Sequence, residues 1–160
     1  MTHLTNKRQI LNISYAQFAV FDRHIDRPFN DWTDEHAGQG FSWRPGSVSF
    51  RTLDDSGELT VETSTEARFD QASSTATRVV RVPFTVPDHG ELEIGSIGDS
   101  AYLRLEPGEY ELTFEHGRET DGMWAKLYFW LVGRPVEPAV LRADAALDPG
   151  QRLLMEAEPA

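Results

Sequence analysis

Hydrophobic and charged residues alternate along residues 91–115 of this chain. A period of two places the apolar side chains on one face of a β-sheet and their charged neighbours on the other. Pro107 and Gly108 separate the last two apolar runs and suit the central positions of a type II turn. The pattern therefore predicts a hairpin with one buried apolar face and an exposed row of carboxylates. The carboxylates of this row are Glu91, Glu93, Glu109, Glu111 and Glu115.

Other segments show the same alternation. Residues 10–21 are rich in β-branched and aromatic residues, which favours a strand. Residues 80–86 alternate cleanly, although Pro83 confines that strand to an edge or a bulge. Residues 123–132 form the most continuous apolar run, which a strand buried on both faces or a buried helix segment gives, and the neighbouring strands favour a strand. Seven or eight short strands with Pro-Gly and Asp-Gly turns predict a mostly β fold, an antiparallel β-sandwich.

One short helix is expected near residues 33–38. Thr33 is a suitable N-cap, and the acids Asp34 and Glu35 would lie in the first turn, where the helix dipole favours them. His36 occupies the third helical position, which a capping box gives to Glu or Gln, so a full capping box is not expected.

The chain length suits one domain, residues 1–160, with residues 134–160 as a C-terminal extension packed on the sandwich or trailing from it. The polar residues 62–76 are expected to form a long, mobile connection or a ragged edge strand. The segment from Leu105 to Tyr110 has the pattern of a tyrosine corner, in which a tyrosine at a strand start binds nearby backbone.

The formal net charge is −11, and the sequence pI is about 4.8. Such a charge repels nucleic acid and anionic membranes and attracts a basic protein partner, although an acidic surface also serves solubility alone. The chain has no cysteine, and its sequence has neither a signal peptide nor a membrane span, so a cytoplasmic protein is expected.

No motif of a known catalytic chemistry is present. The sequence has no phosphate-binding glycine loop, dinucleotide fingerprint or nucleophile elbow, and its five histidines lack metal-ligand spacing. Glutamates on a strand face are usually solvated and ordinary rather than catalytic. The protein is therefore not expected to be an enzyme, and no catalytic residues, cofactor or metal site are predicted.

A second acidic stretch, residues 31–35, contains a tryptophan. Trp32 either anchors the core beside the helix or lies at the rim of a recognition surface, where Asp31, Asp34 and Glu35 add charge. Tryptophan beside acids suits a hot spot for a basic partner.

Four blocks of the sequence resemble competence protein ComJ, the DNA-entry nuclease inhibitor family. The blocks are ISYAQFAVF (13–21), DWTDEHAGQGFSWRPGSVSF (31–50), VPFTV (82–86) and GELEIGSIGDSAYLRLEPGEYELTF (90–114). The resemblance implies a small protein that binds and inhibits the nuclease acting on transforming DNA. It carries over no catalytic residue.

The sequence therefore predicts an acidic inhibitor of a DNA-cleaving nuclease. Its partner-binding residues are predicted from charge and pattern alone: Glu109, Glu111, Glu115, Glu91, Glu93, Asp31, Trp32, Asp34 and Glu35. One alternative is an immunity protein against a different toxin. The other is a lectin-like module that stacks sugar rings on the tryptophans Trp32, Trp43, Trp124 and Trp130.

Overall fold

The protein consists of two β-sheets packed face to face, with a short helix outside them. The structure, a computed structural model, describes residues 7–150 and 152–160. Its elements in chain order are β1 (Lys7–Ile13), β2 (Gln17–Asp22), α1 (Asp34–Gln39), β3 (Phe41–Arg44), β4 (Ser47–Arg51), β5 (Gly57–Ser64), β6 (Ala76–Val86), β7 (Glu91–Ser96), β8 (Asp99–Arg104), β9 (Gly108–Glu119), β10 (Gly122–Leu131) and β11 (Ala139–Arg142).

The six-stranded sheet has the order β1-β5-β10-β9-β6-β11, and the five-stranded sheet has the order β3-β4-β2-β7-β8. Neighbouring strands are antiparallel, except that β5 and β10 run parallel. The mostly β fold with one short helix is confirmed for the described residues. The expected strand number was too low, partly because residues 10–21 contain the end of β1 and most of β2, which lie in different sheets.

The core lies between the two sheets and is rich in phenylalanine. Phe114 of β9 stacks on Phe50 of β4, with ring centroids 4.4 Å apart, and also on Phe18 of β2 at 6.0 Å. All three rings are fully or almost fully buried, and each such side chain contributes about 1.5–3 kcal/mol of hydrophobic stabilisation. These stacks join the sheets at the centre of the molecule.

The prediction of one long hairpin over residues 91–115 is wrong in one respect. Strands β7 and β8 do pair as a hairpin, but β8 and β9 belong to different sheets. The Pro107-Gly108 turn therefore carries the chain from one sheet to the other. The expected tyrosine corner is confirmed, because the Tyr110 hydroxyl donates a 2.8 Å hydrogen bond to the carbonyl of Glu106.

Of two strand predictions, the one for Pro83 holds only locally. β6 is an inner strand between β9 and β11, but β11 pairs only with Val79–Arg81, so among the described residues β6 has no partner on that side at Pro83. Residues 123–131 lie in β10, whose inner side chains are buried and whose outer ones are mostly half-buried.

The C-terminal residues pack against α1 and the segment that precedes it. Leu154 donates its N–H to Oε1 of Gln39 at 2.8 Å and accepts from Nε2 of the same side chain at 2.9 Å. Further on, Pro159 forms a β-bridge with Asn30. In the part of the chain that the structure describes, no helix is long and apolar enough to cross a membrane.

Candidate functional site

Strand β9 directs three of the predicted glutamates outward, but they differ in exposure. Glu109 is exposed and accepts hydrogen bonds of 2.8 and 3.0 Å from the Thr85 hydroxyl. Glu111 retains only 6% exposure and Glu115 only 1%. The prediction that all three carboxylates face solvent is therefore wrong for Glu111 and Glu115.

Residues 65–75, here called the strap, cover these two carboxylates. Arg68 binds Glu111 with two hydrogen bonds of 2.9 and 3.2 Å, and this pairing raises the pKa of the arginine. The backbone N–H of Ser73 donates a 2.6 Å hydrogen bond to Glu115. The segment expected as a loose connection thus makes specific contacts with the outer face of the six-stranded sheet.

An aromatic pair completes the contact between strap and sheet. Phe69 of the strap meets Tyr128 of β10 edge-on, with centroids 5.3 Å apart. The Tyr128 hydroxyl donates to Glu115 at 3.2 Å. Burial, followed by the nearby Glu115 charge, raises the pKa of Tyr128 to about 12, so the hydroxyl keeps its proton and remains a donor at neutral pH.

Glu91 and Glu93 lie on β7 of the five-stranded sheet, and the three β9 glutamates lie on the other sheet. Glu91 is bound by Arg104 at 2.7 Å and by His24 at 2.5 Å, and the hydrogen bond from His24 lowers its pKa. Glu93 accepts from Ser100 at 2.8 Å. The expectation of one continuous acidic plate is therefore wrong, because the chain crosses between sheets after β8.

Glu91 also belongs to a cluster with His24 and His89 whose potential metal-ligand atoms all lie within 4.8 Å of one another. Hydrogen bonds already occupy these atoms. Nδ1 of His89 accepts the backbone N–H of Glu91 at 2.9 Å, so the proton of the neutral ring lies on Nε2, 3.0 Å from Asp22. A metal at Nε2 would have to displace that proton and break the bond to Nδ1.

The helix α1 holds the second predicted set of acids. Thr33 accepts the N–H of His36 at 3.3 Å, and Nδ1 of His36 accepts the N–H of Thr33 at 3.0 Å. This reciprocal pair is a capping box, so the expectation that histidine would not complete one was wrong. Gly40 ends the helix with φ +88°, and Asp34 and Glu35 in the first turn are exposed.

The C-terminal segment brings more acids to the same helix. Asp31 donates its N–H to the carbonyl of Glu158 at 2.8 Å, and its carboxylate accepts the N–H of Glu158 at 3.1 Å. His36 lies 2.9 Å from the carbonyl of Glu156. The side chains of Glu156 and Glu158 are exposed. Sequence reasoning missed these two acids because no local pattern links residues more than 100 positions apart.

Trp32 is half-buried, and its indole N–H donates to Oε1 of Gln17 at 3.2 Å. Because it is neither fully buried nor fully exposed, its role as core anchor or as part of a recognition surface stays a prediction. The remaining three tryptophans are also half-buried. The exposed large hydrophobic residues are instead Ile10, Tyr15, Ile97, Tyr102, Leu131 and Leu141.

A β-sandwich that presents, from a helix and a packed C-terminal segment, carboxylates without ion pairs among the described residues has the features of a protein-binding protein. Charged groups arranged in this way select and orient a partner of opposite charge.

Comparison with known proteins names the family. The family model of Competence protein J (ComJ) matches residues 10–130, and this chain belongs to that family. A relative described as the DNA-entry nuclease inhibitor of Bacillus subtilis (strain 168) is 35% identical over 112 residues, which cover 67% of this chain and 79% of the relative.

Two solved structures share the fold. The crystal structure of ComJ, inhibitor of the DNA degrading activity of NucA, from Bacillus subtilis, has a TM-score of 0.65 and 25% identity, over 82% of this chain and all of that one. Crocagin biosynthetic gene J has a TM-score of 0.55 and 15% identity, over 82% of this chain and 99% of that one, and it shares the fold alone. The family expected from the sequence is confirmed.

Proposed function

We propose that this protein binds a DNA-degrading nuclease in the cytoplasm and blocks it by occupying the basic surface that holds DNA. The observation that carries the proposal is membership of the ComJ family, in which a 35% identical relative is a DNA-entry nuclease inhibitor. The protein acts by binding rather than by catalysis.

The charge of the molecule supports a basic partner. A nuclease binds DNA phosphates largely through Lys and Arg side chains, so its substrate surface is positive. An acidic protein with a net charge of −11 is attracted to such a surface and competes with DNA for it.

We place the main acidic contact at the start of α1. Asp34 and Glu35 are exposed and make no ion pair within residues 7–150 and 152–160. Their charges are thus free for a partner. Asp31, Glu156 and Glu158 stand beside them and extend the acidic surface.

The other predicted contacts remain proposals of differing accessibility. Glu109 is exposed and can meet a partner directly, and Glu91 and Glu93 are half-exposed on the opposite sheet. A partner could contact Glu111 and Glu115 only after displacing the strap.

Charge reversal tests the location of the contact. In the double variant Asp34→Lys/Glu35→Lys, association with the nuclease NucA of Bacillus subtilis should slow about tenfold, because charges near an interface act mainly on the association rate. The matched control is Asp88→Lys/Glu106→Lys, which changes the net charge equally at exposed sites in the β6–β7 and β8–β9 turns. Association is measured by stopped-flow fluorescence, and inhibition by DNA cleavage.

The results separate the parts of the proposal. Equal slowing in both variants would show that only the total charge matters and would remove α1 as the contact. Failure of the wild-type protein to inhibit NucA, together with inhibition of an unrelated DNA-cleaving toxin, would instead favour the immunity-protein alternative.

A further inference from the structure

The connection between β1 and β2 presents a tyrosine to solvent in a backbone conformation that tyrosine rarely adopts. Tyr15 has φ +57° and Ala16 has φ +55°, both in the left-handed region. Ser14 and Gln17 form a β-bridge across them, so they occupy the two central positions of a tight turn that normally favours Asn-Gly. Tyr15 is 77% exposed, so burial of its ring in this protein does not compensate for the strain.

Hydrogen bonds fix this turn to both neighbouring connections. Ala16 donates its N–H to the carbonyl of Asp55 at 2.9 Å and accepts from the N–H of Thr52 at 3.0 Å. On the other side, the Ser96 hydroxyl accepts the N–H of Ser14 at 2.9 Å and lies 3.0 Å from the Ser14 carbonyl. The turn is therefore held in place before any partner arrives, which lowers the entropic cost of binding.

Two further apolar side chains belong to segments that are hydrogen-bonded to this turn. Ile97 follows Ser96 directly and is 42% exposed. Trp32 is bound to Gln17, two positions after Tyr15. Tyrosine and tryptophan are the residue types most enriched among binding hot spots. An exposed aromatic and apolar group of this kind is therefore suited to enter a pocket on a partner.

The charge around Tyr15 selects the kind of partner. Three other turns lie at this end of the sandwich. The β4–β5 turn does so because Ile13, just before Tyr15, pairs with Gly57, and the β9–β10 turn because Met123 pairs with Leu59. The β7–β8 turn follows because Asp99 accepts the N–H of Asn12. The carboxylates of this end are Asp54, Asp55, Glu58, Asp99, Glu119 and Asp121. Two arginines near this end are already bonded: Arg118 to Asp54 at 2.6 Å, and Arg51, which pairs with Gln17, to the carbonyls of Ala37 and Ala146 at 3.0 and 3.1 Å. Such a surface fits a basic protein and repels a second copy of this acidic chain.

We propose that Tyr15, with Ile97 and Trp32 on the segments bonded to its turn, is the aromatic anchor that enters the positively charged DNA-binding surface of the nuclease. This inference rests on the proposed function, and it adds to the acidic contact at α1 the residue that holds the complex together. Long-range charge brings the partners together, and the desolvated tyrosine slows their separation.

Two neighbouring substitutions test the anchor, since both relieve the same backbone strain. Tyr15→Asn removes the ring, whereas Ala16→Gly keeps it, and each new residue adopts positive φ readily. Both variants should have a melting temperature equal to or above that of the wild-type protein. Tyr15→Asn should weaken binding to NucA about 30-fold, mainly through faster dissociation, the scale of a hot-spot residue. Ala16→Gly should bind within about twofold of wild type.

Each outcome decides one point. If the wild-type protein does not bind NucA, both the proposed function and the anchor fail. If the wild-type protein binds and Tyr15→Asn binds equally well, the anchor alone is overturned. Equal loss in both variants would also overturn it, because the conformation of the turn would then matter rather than the ring. A change in self-association of Tyr15→Asn in sedimentation experiments, with unchanged NucA binding, would assign the tyrosine to a contact between copies instead.

Discussion

One buried histidine of β9 is hydrogen-bonded to the backbone of both β10 and the β4–β5 connection. His116 is fully buried on β9, with Nδ1 2.8 Å from the carbonyl of Trp124 and Nε2 accepting the N–H of Leu53 at 3.0 Å. Because Nε2 accepts a hydrogen bond, Nδ1 carries the proton of the neutral ring and donates a hydrogen bond to the carbonyl of Trp124. Burial lowers the pKa of His116 to about 4, so the neutral form with these two hydrogen bonds prevails at neutral pH.

This pKa gives the stability a predictable pH dependence. The unfolded chain takes up the proton near pH 6.5, whereas the folded protein resists it down to about 4. The contribution of His116 is therefore fully present above pH 6.5 and is lost as the pH falls towards 4. Lowering the pH from 7 to 5 should remove about 2 kcal/mol of the free energy of unfolding. Urea unfolding at both pH values measures this difference.

A pair of variants isolates the histidine. His116→Phe should be less stable at pH 7, since Leu53 and Trp124 lose their buried partner, and it should lose most of the pH dependence. His24→Gln, at an exposed histidine, should keep it. A pH dependence that survives in His116→Phe would contradict the assignment.

At the scale of whole elements, the strap determines which glutamates of β9 are buried and hydrogen-bonded and which are exposed to solvent. Glu115 is buried and accepts from Ser73 and Tyr128, whereas Glu109 on the same strand is exposed. Glu115→Gln keeps the shape but removes the charge and one of the two acceptor oxygens, so it should lose one of these hydrogen bonds and weaken the other. The loss should be about 1.5–3 kcal/mol, the range for bonds to a charged group.

The matched variant Glu109→Gln should change stability by less than about 0.5 kcal/mol, as at most surface positions. Denaturant unfolding of both proteins at pH 7 measures the contrast. Equal stability of the two variants would show that the strap does not rely on the Glu115 charge.

The same strand shows what the sequence could and could not predict. Alternation identified which β9 side chains face the core, because the period of two belongs to the strand itself. It could not show that residues 65–75 would cover the other face, since their polar composition is typical of any exposed loop. Arg68 and Ser73 find their glutamates only through a sheet order that no local pattern encodes.

Turn signals had a similar limit. Pro107-Gly108 and Asp54–Gly57 do mark reversals of the chain, but both reversals lead into the opposite sheet rather than back along the same one. The Tyr15-Ala16 turn carried no signal, because its residues are not those that tolerate positive φ. For the candidate site, the local charge pattern was enough to propose Asp34 and Glu35. Glu156 and Glu158 could be placed beside them only once the folded structure was known.

At the scale of the whole molecule, charge and shape act on different steps of binding. The electric field of the net charge of −11 reaches farther than any single contact. Dissolved salt shortens that reach, since the screening length is about 10 Å at 0.1 M and about 3 Å at 1 M. Raising NaCl from 50 to 500 mM should therefore slow association with NucA about tenfold or more, while dissociation changes less than about threefold. The Asp34→Lys/Glu35→Lys variant should show a shallower dependence, because its surface attracts the nuclease less. Association that is independent of salt in the wild-type protein would mean that the partner surface is not basic, and the acidic residues would then serve solubility alone.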